Sequence, residues 1–80
     1  MKTFYKNQLD VAEAINKIID SYWDDSTNEK NMIEQLNKII KNNYSKIIKN
    51  NAYTKIIQQR CGKKRIEILS EVINEIRDEN

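Results

Sequence analysis

A chain with no proline and a single glycine, Gly62, has few ways to make the tight reversals that a β-sheet needs. Two-residue hairpin loops favour glycine because their central residues take positive φ. Ordinary turns favour proline for its fixed φ. Across 80 residues this scarcity points to helices joined by short polar loops. The expected fold class is all-α, a small bundle of four to five short helices. Its length sets one domain, residues 1–80, with a core near the lower limit for independent folding.

Apolar spacing places the helices. Asn7 stands where it can cap a first, acidic helix of about 7–23, with Asp10 near the positive end of the helix dipole. Val11, Ala14, Ile15, Ile18, Ile19 and Tyr22 then recur at three- and four-residue steps and form one face. Ser26-Thr-Asn-Glu29 reads as a capping box opening a second helix, about 27–41, that carries Met32, Ile33, Leu36, Ile39 and Ile40. Asn42–Asn43 and Asn50–Asn51 suit caps and turns better than helix interiors. The basic central region, about 42–62, therefore reads as a short helical piece at 44–49 and a third helix from about 52 to 61. Gly62 would end that helix in the left-handed position. A last, acidic helix, about 63–78, turns Ile66, Ile68, Leu69, Val72, Ile73 and Ile76 inward over roughly 160°. An arc so wide suggests more than one neighbour, or a second chain, and a homodimer is expected on that ground.

The phrase Lys-Ile-Ile starts at residues 38, 46 and 55, and also at 17. These spacings are too short for a solenoid unit of roughly 20 or more residues. Ile, Lys and Asn have A/T-rich codons, so an A/T-rich gene and helical patterning account for the spelling.

Charge is distributed unevenly. Residues 1–34 hold four Lys and seven acids, net −3, and residues 67–80 hold Arg77 and five acids, net −4. Between them, residues 35–66 hold Lys38, Lys41, Lys46, Lys49, Lys55, Arg60, Lys63, Lys64 and Arg65 with no acid, net +9, and the three segments sum to +2. Nine cations in 32 residues need a compensating anion. Either the acidic helices cover them, giving a salt-laced bundle, or they face an external polyanion such as nucleic acid.

Residue types give the second option its form. Two short helical pieces joined at an Asn-rich turn resemble a helix-turn-helix, with 52–61 as the reading helix. On it Tyr53, Ile56, Ile57 and Cys61 share one side, and Thr54, Lys55, Gln58 and Gln59 the other, with Asn51 just before. Amides pair with base edges, while Lys and Thr reach phosphates. Arg60, Lys63, Lys64 and Arg65 follow as a phosphate clamp, and Lys46 and Lys49 precede. A solvated helix face of ordinary polarity is the competing explanation for all of these residues.

Catalytic chemistry has little to work with. There is no His, no Gly-rich phosphate loop, and one Cys. Cationic neighbours could activate Cys61, but its place beside Ile57 reads as a buried small hydrophobe. Neither enzyme activity, metal nor cofactor is expected. Apolar runs of two or three residues exclude a membrane span, and the first residues lack the apolar core of a secretion signal. The lone Cys61 fits a reducing compartment, so a cytoplasmic location is expected.

The segments "NQLDVAEAINKIIDSYW" and "IIQQRCGKKRIEIL" resemble a family of short uncharacterised proteins from clostridia and related Firmicutes. The resemblance spans much of the chain outside its middle and carries no activity over. It implies a low-GC bacterial or mobile-element setting. The sequence thus leads to a small helical protein binding double-stranded DNA through its basic centre. The alternative is a phage- or plasmid-encoded module or inhibitor that grips an acidic protein partner.

Overall fold

The computed structural model describes residues 3–78. Three helices and one hairpin follow in order: α1 (Gln8–Trp23), α2 (Glu29–Ile47), β1 (Ile48–Lys49), β2 (Ala52–Tyr53) and α3 (Lys55–Asp78). The described residues are mostly helical, but the helices number three rather than four or five, and a two-stranded sheet stands where helix was expected.

The first helix starts where the apolar periodicity places it. Asn7 Oδ1 accepts from the Asp10 N–H at 2.9 Å, meeting one of the free amides of the first turn. The second helix corrects the capping-box reading. Asp24 Oδ1 takes the Ser26 N–H at 2.9 Å, within a turn where Asp25 has φ 65°. That turn carries the chain past Ser26 before helical geometry begins. Asn28, directly before α2, is the cap, its Oδ1 accepting from Asn31 N at 2.8 Å. Asn and Ser are about equally good caps, so position decides between them.

The largest correction falls on residues 44–61. Residues 44–47 form the last turn of α2, beyond a kink at Asn43 (φ −134°, ψ 24°). The chain then reverses in an antiparallel hairpin with Ile48 opposite Tyr53 and Lys49 opposite Ala52. Asn50 and Asn51 occupy its two-residue loop with φ 55° and 64°. Positive φ at both central positions is the type I′ requirement. Asn, which tolerates the left-handed region better than other side-chain-bearing residues, supplies here what the chain lacks in glycine.

Gly62 has positive φ and interrupts the helical geometry, as its place after Cys61 suggested, with a second helical segment following it in the same element. At φ 79°, ψ 169° it puts a kink within α3, and the helix resumes to Asp78. That conformation is essentially confined to glycine. A Cβ built there meets nothing within 4 Å, so the requirement is on the backbone and not on space.

The core is common to all three helices. Val11, Ile15 and Ile19 of α1, Leu36, Ile39 and Ile47 of α2, and Ile57 and Leu69 of α3 are all fully buried. Ile66, Ile68 and Ile76, the outer residues of the wide α3 arc, pack against this core within the chain. Asn43 is the buried polar residue among them, 1 % exposed. Its Oδ1 accepts from Tyr5 N at 3.0 Å, and its Nδ2 donates to Thr3 O and Ile39 O, each at 2.7 Å. A buried amide is tolerable only when satisfied in this way. Asn42 adds a bond from its Nδ2 to Thr3 Oγ1 at 2.8 Å. The paired asparagines thus fasten the residues before α1 onto α2.

Candidate nucleic-acid interface

A break in α3 frees backbone carbonyls that a continuous helix would satisfy. Those of Arg60 and Cys61 are met by side chains. Asn16 Nδ2 donates to Arg60 O at 2.8 Å, and Arg65 Nη1 donates to Cys61 O at 3.1 Å. Arg65 is held in turn by α1: its Nε and Nη2 donate to Asp20 Oδ1 at 2.9 and 2.7 Å, and its guanidinium lies 5.3 Å from the centre of the Trp23 ring. Asn16, Asp20 and Trp23 are spaced by four and three residues, so one face of α1 fixes the kink. The Arg65–Asp20 pair is partly exposed, which limits its own contribution to about 0.2–1 kcal/mol. Its larger consequence is to orient Arg65 toward Cys61 O.

The candidate residues divide according to these partners. Arg65 is committed to the kink. Thr54 is half-buried, with Oγ1 donating to Lys46 O at 3.1 Å and its N–H donating to Ile47 O at 3.0 Å, so it closes the hairpin. Gln58 is exposed, yet its Nε2 donates to Tyr53 O at 2.7 Å. Lys46 is half-buried with its ammonium 4.7 Å from the centre of the Phe4 ring, a cation–π contact. Lys49, Asn51, Lys55, Gln59, Arg60, Lys63 and Lys64 are exposed. On the first segment of α3, Lys55 and Gln59 lie opposite the buried Ile57 and Cys61, and Gln58 is exposed at the edge of the buried side, about 60° from Cys61. Lys38 and Lys41, also exposed, extend the cationic surface along α2.

Among the described residues, Arg65–Asp20 is the one ion pair joining the basic centre to an acid. Direct pairing with the acidic helices therefore leaves eight of the nine central cations without an acidic partner among the described residues. Cys61 is buried beside Ile57, and burial pushes its thiol up to about 11 against a partial opposing pull from Arg65. The activating effect of Arg60, Lys63 and Lys64 does not arise, since desolvation dominates. Among the described residues no helix is long and apolar enough to cross a membrane.

Sequence reasoning missed two contributors. Asn50 is exposed beside Asn51 at the hairpin tip. Its signal was available, since two asparagines between short apolar–polar alternations mark a type I′ turn almost as Asn-Gly does. Asn16, which helps hold the kink, gave no signal, because its partner is 44 residues away.

The comparisons with known proteins add a family. Residues 2–74 match the model of a family described as conserved hypothetical proteins, and the chain belongs to that family. The family's designation points to Clostridium, in agreement with the resemblance of the N-terminal and Cys61-containing segments. No curated protein and no solved structure matches the chain.

Proposed function

We propose that the protein binds double-stranded DNA through the cationic surface formed by α2, the hairpin and the first segment of α3. The observation that carries this reading is the eight exposed or half-exposed central cations without an acidic partner among the described residues. Such a surface is most favourable against a dense line of phosphates, where counterion release adds to attraction. In this reading Lys49, Lys55, Arg60, Lys63 and Lys64 meet phosphates. Lys46 and Thr54 hold the surface in shape, and Arg65 sets the α3 kink. The isoleucines that suggested a homodimer pack against the chain's own core and are half-buried there, so one chain carries the proposed surface, and a homodimer remains part of the proposal, to be read from sedimentation. A bacterial setting belongs to the same proposal and rests on the family's designation; a mobile-element role is proposed with it, on the A/T-rich spelling of the sequence.

Salt dependence tests it. Affinity for a duplex should fall with salt at a slope of about −0.9 per phosphate contacted. Lys63→Gln with Lys64→Gln should weaken binding to every sequence and flatten the slope by about two contacts, with stability unchanged. Arg65→Gln should act differently, lowering stability first. If the wild-type protein shifts no duplex at low salt, the reading fails and the rival, an acidic protein partner, takes its place.

A further inference from the structure

Of the three amides expected to read bases, Gln58 has its Nε2 already bonded to Tyr53 O, whereas a bidentate base contact needs an amide's donor and acceptor together; Gln59 is exposed on α3, and Asn51 lies in the hairpin turn. The hairpin tip offers two amides without such a commitment. Asn50 and Asn51 are exposed, and neither side chain has a hydrogen-bond partner among the described residues. Five other asparagines have internal work: Asn7 and Asn28 cap helices, Asn16 meets a freed carbonyl, and Asn42 and Asn43 hold residues 3–5; Asn31 and Asn74, exposed without such work, stand within helices and not at a turn flanked by cations. The two tip positions also have φ 55° and 64°, a conformation glycine reaches without steric cost. The turn itself does not need these side chains.

The tip is held rigidly. Thr54 N–H closes onto Ile47 O at 3.0 Å, the Tyr53 hydroxyl bonds Ser70 Oγ at 2.6 Å, and Ile48 and Tyr53 pack on the core. Lys49 directly precedes the tip and Lys55 opens α3 just beyond β2, both exposed and without an ion pair among the described residues. Two cations thus flank two unoccupied amides on a turn whose backbone is held in place. A two-stranded ribbon fits a major groove about 12 Å wide, and asparagine matches the N6 donor and N7 acceptor of adenine.

We infer that the Asn50–Asn51 turn, and not the face of α3, reads base edges in the DNA major groove, with adenine as the preferred base. This inference rests on the DNA reading proposed above.

The test uses the full chain against short fluorescent duplexes, one all A·T and one all G·C, at fixed low salt. Thermal melts accompany the titrations. The wild type should prefer A·T. The double variant N50G/N51G should melt at the same or a higher temperature and lose that preference about tenfold. Its salt slope should not change, because the lysines remain. Gln58→Ala and Gln59→Ala should each keep the preference. Equal wild-type affinity for both duplexes overturns the inference and leaves the DNA reading standing. So does a preference that survives N50G/N51G, or one that Gln58→Ala or Gln59→Ala abolishes. A wild type that binds neither duplex overturns both.

Discussion

Cys61 shows how one residue's surroundings settle its chemistry. It lies 2 % exposed on the inner side of α3, and burial holds its thiol protonated, raised from 9.0 to about 11. Folding therefore disfavours the thiolate. The unfolded chain releases this proton above pH 9, whereas the folded chain retains it until about 11. The stability associated with a neutral Cys61 is complete below pH 9 and is lost as pH rises toward 11. Tyr53, raised from 10.0 chiefly by burial, adds to the upper part of that decline. Denaturation midpoints from pH 7 to 11 should be level to about 9 and then fall, and Cys61→Ala should soften the first part of the fall. A profile identical in the variant would show that the thiol takes no part. The burial of Cys61 was legible in its spacing from Ile57. The engagement of Arg65 was not, because it depends on Asp20, 45 residues earlier, meeting a helix kink that sequence spacing does not describe.

Elements were legible where their signals are local. The apolar stripe of α1 and its Asn7 cap lie within a few residues of one another, and the structure has both. The start of α2 was displaced because Ser-x-x-Glu and Asn28 compete within three residues. The competition is resolved by Asp24, which takes the Ser26 N–H and is held below the usual carboxylate range chiefly by its hydrogen bonds with Ser26. Asn28→Ala should then cost about 1 kcal/mol through loss of the cap. Ser26→Ala should cost less than that, since the Ser26 N–H that bonds Asp24 belongs to the backbone and remains, and only the hydroxyl's contact with the exposed Asp24 carboxylate is lost. Chemical denaturation compares the two, and a larger loss at Ser26 would restore the capping box. The hairpin was hidden for a different reason. Scarcity of glycine and proline excludes sheets only if no other residue takes positive φ, and Asn50 and Asn51 do. Two-residue strands also carry too little alternation to outweigh the helical periodicity on either side.

At the scale of the molecule the same chain carries one cationic and one acidic surface, which meet where Lys63 and Lys64 precede Glu67 on α3. The second segment of α3 displays Glu67, Glu71, Glu75 and Asp78, all exposed, within an arc of about 80°. None is ion-paired among the described residues. The arrangement is a dipole: cations along α2, the hairpin and the start of α3, acids along the end of α3. A phosphate backbone would be drawn to one side and repelled by the other, which orients the protein before any close contact forms. Charges beyond about 10 Å are screened at 0.1 M salt, so the repulsion acts mainly in dilute buffer. Replacing Glu67, Glu71 and Glu75 by Gln should therefore tighten duplex binding by roughly threefold to tenfold at low salt, with the gain disappearing as salt rises. The salt slope should steepen slightly, because the variant loses repulsion in the range where screening is weakest. An unchanged affinity at low salt would place the acidic stripe too far from the bound phosphates to be felt, confining the interface to the hairpin and α2. A weakened affinity would mean that these carboxylates hold the basic surface in place, and the dipole account would be replaced by one of mutual support.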